Sequence, residues 1–343
     1  MTGEVSTAAN DGEGMPEAGA PMAGPTDAES GSSLSAWREI RRYRAVESAA
    51  VRTALVACLT ASLLSWVGTA QTPGSPRLVG TEFEYVVRRG DTLRSLGSRF
   101  GIEPAALARM NNFSSNVRLK SDQILDVDPR HVVPEVLEHG LLINVPQRML
   151  FVLSEGAVVA RYPVGLGRPD WPTPVGPFSV MTMEVDPVWD VPLSIQEEMR
   201  REGKNVVTRI LPGPNNPLGH FWIGVTLQNL GLHGTIAPLS IYRFQSHGCI
   251  RLHPDDVADL FPRVTVGMPG EIIYEPVLLA RGADGELYLE IHRDVYNQVG
   301  DLETILQSAV ERLGVRESID WDLARDALRA RDGLVRDVSR SRS

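Results

Sequence analysis

A chain of 343 residues with 43% hydrophobic side chains holds enough material for two small domains with tails, each with a core to bury. Its formal net charge of −9 argues against a nucleic-acid partner, which would need a basic face. Residues 1–48 are rich in Ala, Gly, Ser, Pro and Glu and read as a disordered N-terminal region.

Segment 49–70 reads as an export signal or membrane anchor. Arg38, Arg41, Arg42 and Arg44 precede an apolar run from Thr53 to Val67, and Gly68-Thr69-Ala70 resembles a small-residue cleavage site. The run is short for a span of about 20 apolar residues. A cleaved signal and a single uncleaved anchor therefore both stay open, and the expected location is the periplasm or cell wall, free or anchored to the inner membrane. Leu55-Val56-Ala57-Cys58 has the form of a lipoprotein box, but the apolar run continues past the cysteine. The chain has two cysteines, Cys58 and Cys249. With Cys58 in the export segment, the exported body holds one thiol and no internal disulfide, so Cys249 is there for something other than cross-linking.

Residues 83–128 have the pattern of a small α/β module. Tyr85 and Val87 alternate in a strand ended by Gly90. Asp91 or Thr92 caps a helix with Leu93, Leu96 and Phe100 on one face, ended by Gly101. A second helix starts at Pro104 and ends before Asn111-Asn112, and Gln123 to Val127 forms a closing strand. This βααβ order, with Gly90-Asp91-Thr92-Leu93 and Asn111-Asn112, resembles a LysM module. The resemblance implies binding to the N-acetylglucosamine-containing glycan of peptidoglycan, with Gly90, Asp91, Thr92, Asn111 and Asn112 as glycan-binding candidates.

Residues 129–140, with a proline and several charges, read as a linker to a domain over 139–275. Short β-rich runs follow: Leu141 to Val145, Met149 to Leu153, Ala157 to Val164, Phe178 to Met183 and Phe221 to Leu227. Their number and the turns between them predict a β-sandwich with short helices. A Gly/Pro-rich loop over 165–176 carries Trp171, which faces either a substrate or the loop's own prolines. Val185 to Pro217 is a long insertion with a helix from Ile195 to Glu202, of the kind that forms lids and binding walls.

The chemistry-bearing stretch is Ser246-His247-Gly248-Cys249-Ile250-Arg251, preceded by His233-Gly234-Thr235 sixteen positions before the cysteine. A thiol attacks as thiolate, and a free cysteine with a pKa near ~8.5 needs a neighbouring base. His233 is that candidate base, with the Gly234 carbonyl available to its other ring nitrogen. Amides around Gly248 and Cys249 are placed to hold an oxyanion. His247, two residues before Cys249, lines the site or locks its loop, and His253 belongs to a helix cap at Pro254. Ser246 and Trp171 are substrate-binding candidates, as is Arg251, whose fork suits a carboxylate as readily as a surface ion pair. A zinc site of His233, His247 and Cys249 ranks far below the nucleophile reading, because there is no second exported cysteine and no tight ligand pair.

The two halves of this pattern, with Pro172-Thr173-Pro174-Val175-Gly176-Pro177-Phe178, resemble the signature of the YkuD-type L,D-transpeptidases, in the branch of ErfK and YbiS, where arginine stands two residues after the cysteine. The resemblance implies a mainly β catalytic domain that needs no metal and no cofactor, whose cysteine attacks a tetrapeptide stem of peptidoglycan, releases D-alanine and passes the acyl group to an amine. The acceptor, another stem, a wall-attached protein or a free D-amino acid, stays open; water would make it an L,D-carboxypeptidase. The rival from another class is a non-catalytic peptidoglycan-binding scaffold.

Residues 276–343 read as a C-terminal extension: a hairpin around Gly282 to Gly285, a helix capped by Asp301, a second from Asp320 to about Leu334, and a fraying end. Nothing in it is expected to be catalytic.

Overall fold

A computed structural model of the chain describes residues 77–341. The chain divides into two units, 1–60 and 61–343, and the described residues all belong to the second. The N-terminal region and the signal or anchor segment lie outside the described residues.

The small module is built as its periodicity predicts. Strand β2 (Phe83–Val86) pairs antiparallel with β3 (Ile124–Val127), Phe83 opposite Val127. Between them run helices α1 (Leu93–Phe100) and α2 (Pro104–Met110). Leu96, Leu107 and Leu125 are fully buried between the layers. Thr92 and Ser95 form a reciprocal capping box, and Gly101 ends α1 in the left-handed conformation that glycine adopts without a Cβ penalty.

Segment 129–140 is more than a linker. His131–Val133 forms β4, pairs with β1 (Arg77–Val79) and is buried. Its anchor is Glu290, a fully buried carboxylate. One Glu290 oxygen meets His131 Nδ1 and His292 Nε2, both at 2.8 Å, and the other accepts from Val132 N at 2.7 Å and Gln147 Nε2 at 3.0 Å. Burial alone would raise this carboxyl, but the two imidazoles hold it down to about 2. Charges in sequence gave the segment the look of a solvated connection. The partners that bury it stand 15 and 159 residues away.

The main domain is one nine-stranded sheet, mainly β as expected, curled so that its ends meet. In chain order its strands are β5 (Gly140–Asn144), β6 (Met149–Ser154), β7 (Ala157–Gly167), β8 (Gly176–Val185), β11 (Phe221–Val225), β12 (Gly231–His233), β13 (Phe244–Ser246), β14 (Ile250–Leu252) and β15 (Pro269–Ile273). In space they run β13-β7-β14-β12-β11-β8-β15-β5-β6, and β6 pairs back onto β7. The 11-residue β7 makes this closure. Its first half ladders with β6, its Val164 and Gly165 with β14, and Leu166 and Gly167 with β13. Leu141, Ile143, Leu150, Val164, Ile223, Leu232, Ile250 and Leu252 fill the space enclosed. Burying a side chain of this size is worth roughly 1.5–3 kcal/mol, so alternation along β12 and β14 is set by which residues must face that core.

The insertion between β8 and β11 holds a two-residue ladder of β9 (Trp189–Asp190) with β10 (Arg209–Ile210) and helix α3 (Leu193–Arg201). Buried Asn216 closes it, donating to the Pro187 carbonyl and accepting from Leu218 N. After β14, helix α4 (Pro254–Leu260) starts with His253 Nδ1 accepting from Asp255 N. Residues 264–266 follow a 3-10 turn, and β15 begins at Pro269.

The C-terminal extension has its own core. Strands β16 (Val277–Arg281) and β17 (Leu287–Ile291) form the predicted hairpin, and helices α5 (Leu302–Leu313) and α6 (Trp321–Ala330) pack on it through Leu306, Val310, Ala324 and Ala327. Its end is tied rather than frayed: β18 (Arg336–Asp337) pairs with β17 and Val338 is fully buried. Among the described residues no helix is long and apolar enough to cross a membrane.

Candidate active site

Strands β12 and β14 lie side by side and parallel, Leu232 opposite Ile250 and His233 opposite Arg251. Because Leu232, Ile250 and Leu252 point into the core, the alternate residues His233, Cys249 and Arg251 share the opposite face of the sheet. The register is parallel, so Gly231 stands across from Cys249 and His233 lies two residues further along.

Strand β11 adds a wall. Trp222 is paired with His233, and the two rings stack at 5.8 Å between centroids and 24° between planes. A Cβ on Gly231 would stand 2.3 Å from the Trp222 ring. Glycine there leaves room for the indole to lie over β12. Trp222 was not singled out from the sequence. Its signal was alternation, since Ile223 and Val225 face the core, but which strand it would meet depends on pairing.

His233 is buried, and its Nδ1 donates to the Gly234 carbonyl at 2.6 Å. That bond leaves Nε2 as the basic nitrogen. Burial and the neighbouring Arg251 cation push the imidazole down to about 4, against the Gly234 hydrogen bond. The half-buried Cys249 thiol is pushed up by burial, while a Gly231 backbone hydrogen bond and Arg251 pull it the other way. Its Sγ donates to the Asn229 carbonyl at 3.7 Å. At neutral pH the resting pair is therefore neutral thiol and neutral imidazole. Arg251 is half-buried and has no carboxylate partner among the described residues.

The turn carrying Cys249 is pinned at three carbonyls, those of Ser246, Gly248 and Cys249. Ser246 Oγ donates to the Cys249 carbonyl at 2.6 Å, so this side chain shapes the turn instead of reaching outward. Gly248 has φ +102, and the nearest atom to a Cβ there would be the Pro172 carbonyl oxygen at 3.7 Å. Glycine is demanded by the backbone, not by crowding. Thr173 Oγ1 donates to the Gly248 carbonyl at 2.7 Å and accepts from Gly167 N at 2.9 Å.

His247 is held by Glu198, Arg168 and Trp171. Its Nε2 lies 2.6 Å from Glu198 Oε2 on α3 and 3.1 Å from Arg168 Nη1, and Arg168 Nη2 donates to Glu198 Oε1. Trp171 packs edge-on against His247 at 4.3 Å, with the Arg168 guanidinium 4.7 Å from its ring centre. Trp171 is thus engaged by His247 and Arg168. Glu198 and Arg168, which tie the insertion helix to the turn that carries Cys249, were missed because they are 30 and 79 residues from their partners.

In the small module most of the glycan candidates are occupied internally. Asp91 Oδ2 accepts from Tyr85 Oη and Arg88 N. Thr92 caps α1. Asn111 Nδ2 donates to the Leu107 and Asp126 carbonyls while its Oδ1 accepts from Asp126 N at 2.7 Å. Gly90 (φ +91), with open space around it, and exposed Asn112 (φ +58) remain outward. The module leans on the segment between His233 and Cys249: Ser98 Oγ donates to the Ile241 carbonyl, and Glu103 pairs with Arg148, which also donates to the Tyr242 carbonyl.

The comparisons with known proteins follow the same division. A family model described as the L,D-transpeptidase catalytic domain, YkuD, matches residues 138–272, and a LysM domain model matches 85–128. The probable L,D-transpeptidase YcfS of Escherichia coli K12 is 27% identical over 282 residues, covering 78% of this chain and 87% of its own. The probable L,D-transpeptidase ErfK/SrfK of Salmonella typhimurium is 28% identical over 280 residues, 79% and 90% of the two chains. The probable L,D-transpeptidase YbiS of Escherichia coli K12 is 25% identical over 287 residues, 81% and 92%.

Proposed function

We propose, from the premise that this chain carries a YkuD L,D-transpeptidase catalytic domain behind a LysM domain, that it is a peptidoglycan L,D-transpeptidase of the cell wall or periplasm with Cys249 as nucleophile and His233 as base. The observation that carries this reading is the shared face of β12 and β14, where a thiol, an imidazole with its Nδ1 already committed, and a guanidinium with no carboxylate partner among the described residues stand together.

The chemistry follows from that face. The thiol turns from the Asn229 carbonyl toward His233 Nε2, which takes its proton as sulfur attacks the carbonyl of the third stem residue. Since burial disfavours both charged forms, the proton moves together with attack rather than before it. Backbone N–H groups at Gly248 and Cys249 receive the oxyanion. Collapse expels terminal D-alanine, whose nitrogen takes the proton from His233, and leaves a thioester on Cys249. An amine acceptor, deprotonated by His233, then attacks the thioester and frees the thiol. Arg251 holds a substrate carboxylate. The LysM domain keeps the enzyme on N-acetylglucosamine-containing glycan, through the Gly90 loop backbone and Asn112 rather than the occupied side chains of Asp91, Thr92 and Asn111. The apolar run at 53–67 serves export or anchoring.

The test is incubation of the protein with purified tetrapeptide muropeptides and a panel of acceptors: stems, a wall-attached protein and D-amino acids, read by mass spectrometry. D-alanine release by the natural chain but not by Cys249→Ala is expected, with the acceptor identified by the mass of the product. A tripeptide as sole product would mean water is the acceptor. Silence from both chains would leave a binding scaffold.

A further inference from the structure

Tyr296 lies in the C-terminal extension, outside the residues matched by the catalytic-domain model, yet its hydroxyl reaches the loop that holds the nucleophile. It donates to the Gly167 carbonyl at 2.6 Å and accepts from Thr173 N at 3.2 Å. Thr173 is fully buried, and its own hydroxyl spans Gly167 N and the Gly248 carbonyl. A Cβ on Gly167 would come within 2.7 Å of Thr173 N and closer still to the Trp171 carbonyl, so the loop folds back on the strand with no room to slide.

What this chain of contacts controls is one peptide plane. The carbonyl of Gly248 and the N–H of Cys249 belong to the same planar trans unit and point in opposite directions. Fixing the carbonyl toward Thr173 therefore aims the Cys249 N–H the other way, as an oxyanion donor must be aimed before the charge develops.

We propose that Tyr296 is a positioning residue for acyl transfer: through Thr173 it orients the Gly248–Cys249 peptide so that the Cys249 amide points at the developing oxyanion. The inference rests on the acyl-transfer reading above. The ring has no freedom of its own. Tyr296 N donates to Tyr274 Oη at 2.9 Å, Tyr274 Oη donates to Asp294, and the ring stacks on Tyr274 and meets Phe244 edge-on. The segment joining the catalytic sheet to its C-terminal extension is thereby part of the apparatus that holds the nucleophile turn.

The test compares two reactions of the same sulfur. Acetylation by p-nitrophenyl acetate moves the acetyl group to Cys249 with loss of p-nitrophenolate and passes through an oxyanion. Alkylation by iodoacetamide displaces iodide and forms none. Tyr296→Phe removes only the hydroxyl. It is expected to slow acetylation ~10-fold, below the 10²–10³ for deleting a donor outright, with alkylation within about twofold of the natural chain. Thr173→Val is expected to slow acetylation at least as much, and Thr173→Ser to restore it. Acetylation unchanged in Tyr296→Phe, or both reactions slowing in parallel, overturns the proposal. D-alanine release from stems by the natural chain is followed in the same samples. Its absence beside a preserved difference between the two reagents would sink the transpeptidase reading and leave the role of Tyr296 standing.

Discussion

The glycan-binding candidates of the small module and the candidate catalytic face of the main sheet contain similar polar residues put to opposite use. In the module, Asp91, Thr92 and Asn111 face one another or the local backbone, and between them close a strand end, a helix start and a turn. On β12 and β14, Arg251 has no carboxylate partner among the described residues, and the thiol's hydrogen bond is a long one to a carbonyl. A polar group whose valences are met nearby is holding the fold. One left half-buried with its capacity unspent is held at a cost, and a substrate that completes it regains that energy.

The largest effect that would break this contrast lies at the base. His233→Gln keeps a ring-sized polar group beside Trp222 but cannot take a proton, and a loss of roughly 10²–10⁴ in kcat/KM for D-alanine release is expected. A loss under about tenfold would remove His233 as the base. The pH profile sharpens the same point. Since the folded imidazole sits near 4, kcat/KM should hold its acid side well below the ordinary histidine value of ~6.5 and fall only as pH approaches 4, where His233 becomes protonated.

Arg251→Gln should act next most strongly. Losing a charge-assisted contact of about 1.5–3 kcal/mol raises KM for a carboxylate-bearing stem by roughly 10–100-fold. Removing its cation should also move the acid limb upward, because that charge helps depress His233. A displaced KM with an unmoved limb would place Arg251 on substrate but away from the base.

The smallest effect separates the two regions most directly. Asn111→Ala strands partners at both ends of its turn and should lower stability by about 1–3 kcal/mol, read as a fall in the thermal midpoint. Asn112→Ala should leave the midpoint alone and weaken pelleting with insoluble peptidoglycan. The reverse result would invert the assignment of glycan contact and structural role.

Local pattern was a good guide where partners are near in sequence. Helices α1, α2, α5 and α6 and most strands of the main sheet stand where periodicity and capping put them, and His253 caps α4 within two residues. It failed where partners are distant. Nothing in 129–140 announces that His131 will be buried against Glu290. The arginine- and serine-rich end hides that Val338 fills a core. Glu198, Arg168, Trp222 and Tyr296 carry no motif, because their importance lies in which atoms they meet across the fold.

The sequence by itself determined which groups the chain brings to its chemistry: a thiol after a glycine, a histidine with a glycine carbonyl at its shoulder, an arginine two residues past the thiol, and a LysM domain upstream. Those follow from residue identity and short-range spacing, which the chain carries in any conformation. Only the tertiary structure decided which polar residues are consumed by internal hydrogen bonds and which are left without a charged partner among the described residues, and that Tyr296, outside the matched catalytic segment, bonds to the loop behind the Cys249 turn. These depend on burial and on hydrogen bonds between distant segments, and neither exists until the curled sheet has closed.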